Sequence, residues 1–311
     1  TGRTAHLDVG GERGVAIRKA LLRQLGVEVT DIERIGLEGS AGSTPLRISQ
    51  VDGPDLFAKL YASNHLRSDR SYKLWRTLVY GRLEDEHRFT SVRRLVQHED
   101  YILHVFESAG IDSMAPVGVV EITPDREYLM VSEFLGGAVE AGDAEVTTAV
   151  IDNGLAAVAK LWDAGLAHRD IKPATVRVQG DRVRLIDVSF SEIRPSPWRQ
   201  AVDLANMMLV LALRSDPQLV YERARLQFSD DDIAEAFAAS RGVTLPSALR
   251  ADVKRDGRAL LAQFRAMAPS REPVAIQRWS LRRIGLIIWV LVVGLVVVGI
   301  FVESLRAVGL R

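Results

Sequence analysis

The chain has 311 residues, and 40 Lys and Arg set against 40 Asp and Glu leave a formal net charge of zero. That balance removes any whole-chain electrostatic argument for nucleic acid, and no nucleic-acid partner is expected. The lack of cysteine excludes disulfides, thiolate catalysis and cysteine metal sites, and the six scattered histidines form no zinc-type pair.

In chain order, "GERGVAIRKALLRQLGVEV" (Gly11 to Val29) sets Val15, Ile17, Leu21, Leu22 and Leu25 near helical spacing. It predicts an amphipathic helix within an N-terminal helical extension, residues 1–31. From Ile32 the texture turns to strand: "IERIGLEGSAGSTPLRISQ" and "DLFAKLYA" flank the turn "VDGPD" and read as a hairpin. "TSVRRLVQHEDYILHVFESAGI" carries Val92, Leu95, Ile102, Leu103 and Phe106 on a helical stripe that stops at Gly110. "APVGVVEIT" and "REYLMVSEF" predict two further strands, and "EVTTAVIDNGLAAVAKLWDAG" a helix ended by Gly165. "WRQAVDLANMMLVLALR" is apolar nearly all round, which predicts a core helix, with Met207 and Met208 as core filling. Ser215 to Ser270 reads as helical, with Ser229 an N-cap before "DDDIAEAF".

The last long segment is different. Ile284 to Val302 carries no charge, and at about 1.5 Å per residue it reaches ~28 Å, close to the ~30 Å hydrocarbon core of a bilayer. It predicts a transmembrane helix over 284–302 and the membrane as a partner. Arg278, Arg282 and Arg283 precede the segment, and the positive-inside bias puts the large domain on the cytoplasmic side.

Strands first, then helices around a short strand pair, predict an α+β protein with two unequal lobes and a ligand cleft between them. Three motifs sharpen that outline. "HRDIKPAT" (His168 to Thr175), "LIDVS" (Leu185 to Ser189) and "FAKL" with Lys59 resemble the catalytic loop, the metal strand and the lysine strand of the protein-kinase-like fold. The resemblance runs from about Ile32 to Arg214. Asp187 and Asp203 stand too close for a long activation segment, so the similarity is to the compact atypical branch, lipopolysaccharide-kinase-like or RIO-like. It implies a small antiparallel-sheet lobe over 32–135, a helical lobe over 136–277, and ATP and Mg²⁺ as cofactors.

Residue by residue, the resemblance implies the following roles. Asp170 orients the acceptor hydroxyl and takes its proton, while Lys172 neutralises a γ-phosphate oxygen. Asp187 holds Mg²⁺. Lys59 binds the α and β phosphates with a helix glutamate as partner: Glu99, with Glu84 and Glu86 as alternatives. Glu133 to Leu135 is the hinge that meets adenine through backbone groups. Gly36, Gly39 and Gly42 form a phosphate-approaching loop, in G-x-x-G-x-x-G rather than G-x-G-x-x-G spacing. Asp203 braces the catalytic loop, and His168 packs there without acid or base duty.

Four positions, in three places, depart from the family pattern. Thr175 stands where an asparagine would ligate a second metal ion, and it offers only a hydroxyl. Arg177 stands where an apolar residue lies beneath adenine. Its guanidinium has three courses open: to stack on the base, to turn aside along the strand, or to fill the pocket. Val188 and Ser189 replace the phenylalanine and glycine after the metal aspartate. Two functions follow: an ATP:hydroxyl phosphotransferase of unassigned acceptor, tethered to a membrane, or a pseudokinase that binds nucleotide or a partner.

Overall fold

The computed structural model describes residues 8–36, 43–62, 91–240, 244–272 and 281–307. Helix α1, Gly11–Leu25, ends where Gly26 enters the left-handed region at φ 69° and its amide bonds back to the carbonyls of Leu21 and Leu22. This is the glycine stop that a residue with a Cβ adopts at a cost. Strands β1 (Val29–Arg34), β2 (Thr44–Gln50), β3 (Leu56–Ala62), β4 (Pro116–Thr123) and β5 (Glu127–Glu133) form one antiparallel sheet in the order β1-β2-β3-β5-β4.

Alternation along the strands gives this sheet two working faces. Leu46, Ile48, Ala58, Leu60, Leu129 and Val131 point to one side and close a core with Ile17 and Leu21 of α1. The segment read as an extension therefore covers the sheet. Lys59 and Tyr61 of β3 point to the other side, as do their cross-strand partners Met130 and Tyr128. That side meets helix α2, Val92–Ser108, whose N-cap Ser91 accepts the Arg94 amide and whose buried stripe is Val92, Val96, Glu99, Ile102, Leu103 and Phe106. One member of that stripe is a carboxylate.

The helical lobe gathers α3 (Thr148–Asp163), α4 (Pro197–Ala212), α5 (Pro217–Ala224), α6 (Asp230–Ala239), α7 (Ser247–Asp256) and α8 (Leu260–Met267) around one apolar cluster. Helix α4 is buried along nearly its whole length, which explains why its sequence has no polar face. Ser229 caps α6 in a reciprocal box with Asp232. Two small sheets sit in this lobe: β6 (Val139–Glu140), β8 (Val176–Gln179) and β9 (Arg182–Leu185) in the order β6-β8-β9, and β7 (Leu166–Ala167) with β10 (Glu192–Ile193).

Helix α9, Leu281–Ala307, belongs to a separate unit. Among the described residues, no helix is long and apolar enough to cross a membrane. The transmembrane helix expected at 284–302 is thus not supported. The membrane as a partner, and a membrane location with the domain on its cytoplasmic side, fall with it. The architecture is a mixed one, with a five-stranded antiparallel sheet lobe and a helical lobe.

Candidate functional site

The charged residues singled out by the motifs converge at one place. Lys59 Nζ lies 2.6 Å from Glu99 Oε1 and 2.7 Å from Asp187 Oδ1, so a strand, a helix and a distant loop meet at one ammonium. Lys59 and Glu99 are both buried, at 7% and 0% exposure. Glu99 is therefore the helix partner, and Glu84 and Glu86 lie outside the described residues. Tyr61 donates to the other oxygen of the same carboxylate, Oε2 of Glu99. Burial pushes the Lys59 ammonium down, but the Asp187 and Glu99 charges outweigh it and hold its pKa well above the ordinary value. The converse holds at Asp187: burial opposes the charge, yet Lys59 keeps the carboxyl well below the usual carboxylate range.

The loop between β7 and β8 carries Asp170. Its backbone is fixed from behind by Asp203 of α4, which accepts the amide protons of His168 and, at 2.9 Å, of Arg169. Arg169 adopts φ 68°, a left-handed conformation that costs a residue with a Cβ roughly 1–2 kcal/mol and that these two hydrogen bonds offset. His168 is buried, its Nε2 lies 3.1 Å from the Ile186 carbonyl, and burial pushes its pKa down to about 4. Asp203 is fully buried, and burial drives its pKa up to about 7 against the pull of the Arg169 and His168 amides.

Past Asp170 the chain makes a single 3₁₀ turn, Pro173–Thr175, before entering β8. The Thr175 hydroxyl donates to the Asp170 carbonyl at 2.6 Å and accepts the Lys172 amide at 3.1 Å. Its one proton is thus spent on the loop. Lys172 Nζ lies 2.6 Å from Asp170 Oδ2. Burial raises the Asp170 pKa, the Lys172 charge opposes the rise, and the Asp187 and Lys59 charges also reach this carboxyl, which places the two aspartates within electrostatic range.

The β8–β9 hairpin brings the chain back antiparallel, so that Ile186 donates its amide to Thr175 at 2.9 Å and Asp187 emerges beside Asp170. Asp187 itself is left-handed at φ 62°, and the Ser189 hydroxyl holds its Oδ1 at 3.0 Å. Among the described residues, Asp187 Oδ2 and Asp170 Oδ1 have no partner. Two hard carboxylate oxygens from neighbouring segments fit Mg²⁺, which binds through one or two protein carboxylates and completes its shell with water and phosphate. Among the described residues there is no cluster of three or more His, Cys, Asp or Glu that could hold a metal.

At the end of β5, the Glu133 amide donates to the Ala115 carbonyl at 2.8 Å and is thereby occupied. Leu135 lies two residues on in a non-regular stretch, and its N–H has no acceptor among the described residues. Arg177 turns aside, across to the neighbouring strand rather than along its own: Glu140 faces it across the β6–β8 pair and receives its guanidinium at 3.2 Å. Arg184, opposite Arg177 on β9, bonds both oxygens of Glu133 at 3.1 Å. A row of four charges, Glu140, Arg177, Arg184 and Glu133, with the two cations at its centre, thus lines the face of this sheet that points away from Val176, Val178, Val183 and Leu185 in the core. Gly39 and Gly42 lie outside the described residues, and Gly36 has φ +56°.

Comparison of the sequence with protein-family models gives no match, and comparison with curated proteins gives none either. Geometry alone carries the site. Sequence reasoning passed over three of its members: Tyr61, Ser189 as a tie on Asp187, and Arg184. For Tyr61 the signal was present, because residues two apart on a strand share a face and Lys59 was already assigned to it.

Proposed function

We propose that the chain is a protein-kinase-like, Mg²⁺-dependent ATP:hydroxyl phosphotransferase. The observation that carries this reading is the convergence of Lys59, Glu99, Asp170, Lys172 and Asp187, five charged groups from four separate segments, with two carboxylate oxygens left open. Phosphoryl transfer asks a protein for alignment and charge neutralisation more than covalent help, and these residue types supply both.

In this mechanism Lys59, held by Glu99, binds the α and β phosphates. Leu135 N–H meets the base at its edge. Asp187 would hold the metal ion, which when bound would neutralise phosphate charge and align the transferred group. The Asp170 carboxylate orients the acceptor hydroxyl and receives its proton, and Lys172 compensates charge on the γ-phosphate oxygens as the bond to the leaving oxygen breaks.

The decisive measurement is phosphate release from Mg-ATP with water as acceptor, and incorporation of γ-phosphate into the protein itself, in the wild type and in Asp170→Ala. A loss of ~10²–10⁴-fold is expected for removal of a positioned base. Equal turnover in both proteins removes the assignment.

Two observations favour a second reading, a pseudokinase that binds nucleotide or a partner without transfer. The Thr175 hydroxyl is engaged with the Asp170 carbonyl, and the charged row from Glu140 to Glu133 stands where an adenine floor would be apolar. Thermal-shift titration separates the readings: nucleotide at ~100 times its dissociation constant adds about 2.7 kcal/mol of stability. A shift without turnover supports the second reading, and no shift with ATP, with or without Mg²⁺, leaves a nucleotide-free module.

A further inference from the structure

Glu99 is a carboxylate on the buried face of a helix, with its side chain only 1% exposed. A charge in that position is stable only if both oxygens are satisfied. Lys59 satisfies one of them, at 2.6 Å. The second, Oε2, is met by Tyr61, itself 4% exposed. Lys59 and Tyr61 stand two apart on β3, so both project from the same face and grip one carboxylate from the same strand. On the opposite strand, Met130 and Tyr128 face Lys59 and Tyr61 and close the site with apolar surface.

We propose that Tyr61 is a positioning residue: its hydroxyl fixes the rotamer of Glu99 and thereby keeps the Lys59 ammonium between Glu99 and Asp187. The proposal deepens the phosphotransferase reading and rests on it for the use to which Lys59 is put. The arrangement itself is independent of nucleotide. Lys59 is pulled by two carboxylates, and a Glu99 free to turn about its terminal torsion would loosen its side of that bridge and leave the ammonium to the Asp187 pair alone. A hydroxyl on Oε2 removes that freedom. Because Tyr61 sits on the same strand as the lysine it serves, the grip on Glu99 moves with Lys59 as a unit.

The test has two readouts, so that the two ideas fail separately. The first needs no nucleotide: reductive methylation of Lys59 by formaldehyde and cyanoborohydride, followed by peptide mass spectrometry, in wild type, Tyr61→Phe and Tyr128→Phe. Tyr128 has its own phenol bonded to Glu121 and serves as the control for loss of a hydroxyl on the same face. Tyr61→Phe should methylate at Lys59 on the order of tenfold faster than wild type, Tyr128→Phe should match wild type, and 3-fluorotyrosine at position 61 should restore the slow rate. If Phe at 61 does not fold, Tyr61→Met, which also lacks the donor, takes its place. Equal Lys59 rates in wild type and the variant without the hydroxyl overturn the proposal. The second readout is Mg-ATP turnover: Tyr61→Phe should lower kcat/KM roughly tenfold along with the apo melting temperature, because a buried carboxylate oxygen loses its donor, whereas a purely structural hydroxyl would move the melting temperature and leave kcat/KM alone. A wild type with no turnover and no nucleotide shift discards the phosphotransferase reading, while the methylation rates still decide the role of Tyr61.

Discussion

The ammonium of Lys59 lies 2.7 Å from Oδ1 of Asp187, a residue 128 positions further along the chain. In the free protein the proposed phosphate-binding cation and the proposed metal-binding anion thus neutralise each other, and nucleotide would have to compete with that pair. Asp187→Asn removes the competitor. Metal-free ATP should bind this variant at least as tightly as wild type, added Mg²⁺ should gain nothing, and turnover should fall by 10²-fold or more. Titration calorimetry with and without Mg²⁺ checks the first two, and tighter binding in the presence of Mg²⁺ would contradict the assignment of Asp187.

Removing the cation has a different signature. Lys59→Met leaves Glu99 charged in a buried position, a defect of about 3–5 kcal/mol, whereas Lys59→Met with Glu99→Leu removes both charges and should recover most of that loss. Urea unfolding of the two variants measures the difference. A double variant no more stable than the single one would show that the pair is not as dry as its exposure indicates.

Thr175 separates brace from ligand. Thr175→Val leaves the Asp170 carbonyl and the Lys172 amide without their hydroxyl partner, which costs about 1–3 kcal/mol and should lower turnover at least tenfold by loosening Asp170. Thr175→Ser keeps both bonds and should behave like wild type. Chemical denaturation and turnover of the two variants, run side by side, test this.

His168 and Asp203 oppose each other in pH. The folded Asp203 has a pKa of about 7 against an ordinary 3.8, so between these values the unfolded chain has shed a proton that the folded chain retains, and stability falls as pH rises. The folded His168 has a pKa of about 4 against 6.5, so over that interval the unfolded chain gains a proton that the folded chain lacks, and stability falls as pH drops. The two contributions cancel over the shared window from about 4 to about 6.5. His168→Gln leaves Asp203 uncompensated, and its stability should fall by up to ~1.4 kcal/mol per pH unit toward neutrality relative to wild type. Urea midpoints from pH 4.5 to 7 provide the check, and parallel profiles would rule out the opposition.

Arg177 is held by a half-exposed pair, so Arg177→Leu should change stability by less than about 1 kcal/mol. Its larger effect should be on nucleotide affinity, because the substitution removes one cation from the charged row and exposes apolar floor. Thermal shifts with Mg-ATP in the variant and wild type report the sign.

Much of the sheet lobe could be read from sequence because its information is local. Alternation in "DLFAKLYA", the turn residues of "VDGPD" and the glycine stops at Gly110 and Gly165 each act within a few residues of themselves. Glu99 is singled out by the family resemblance, and its place on the buried stripe of α2, where a carboxylate demands a partner, is the physical reason it pairs with Lys59. The direction of Arg177 could not be read: it depends on Glu140, brought opposite by a two-residue strand too short to leave a pattern. The pairing of β7 with β10 is hidden for the same reason. Hydropathy alone led to a membrane-spanning helix at 284–302, and among the described residues no helix is long and apolar enough to cross a membrane.

Helix α1 has a practical consequence for anyone trimming the protein. A polypeptide begun at Ile32, where the motif resemblance starts, would lose both this helix and the opening residues of β1, leaving Leu46, Ile48, Leu60 and Leu129 uncovered. Such a sheet would be a sticky plane, prone to self-association before any ligand could be tried. The smallest workable piece starts ahead of Gly11.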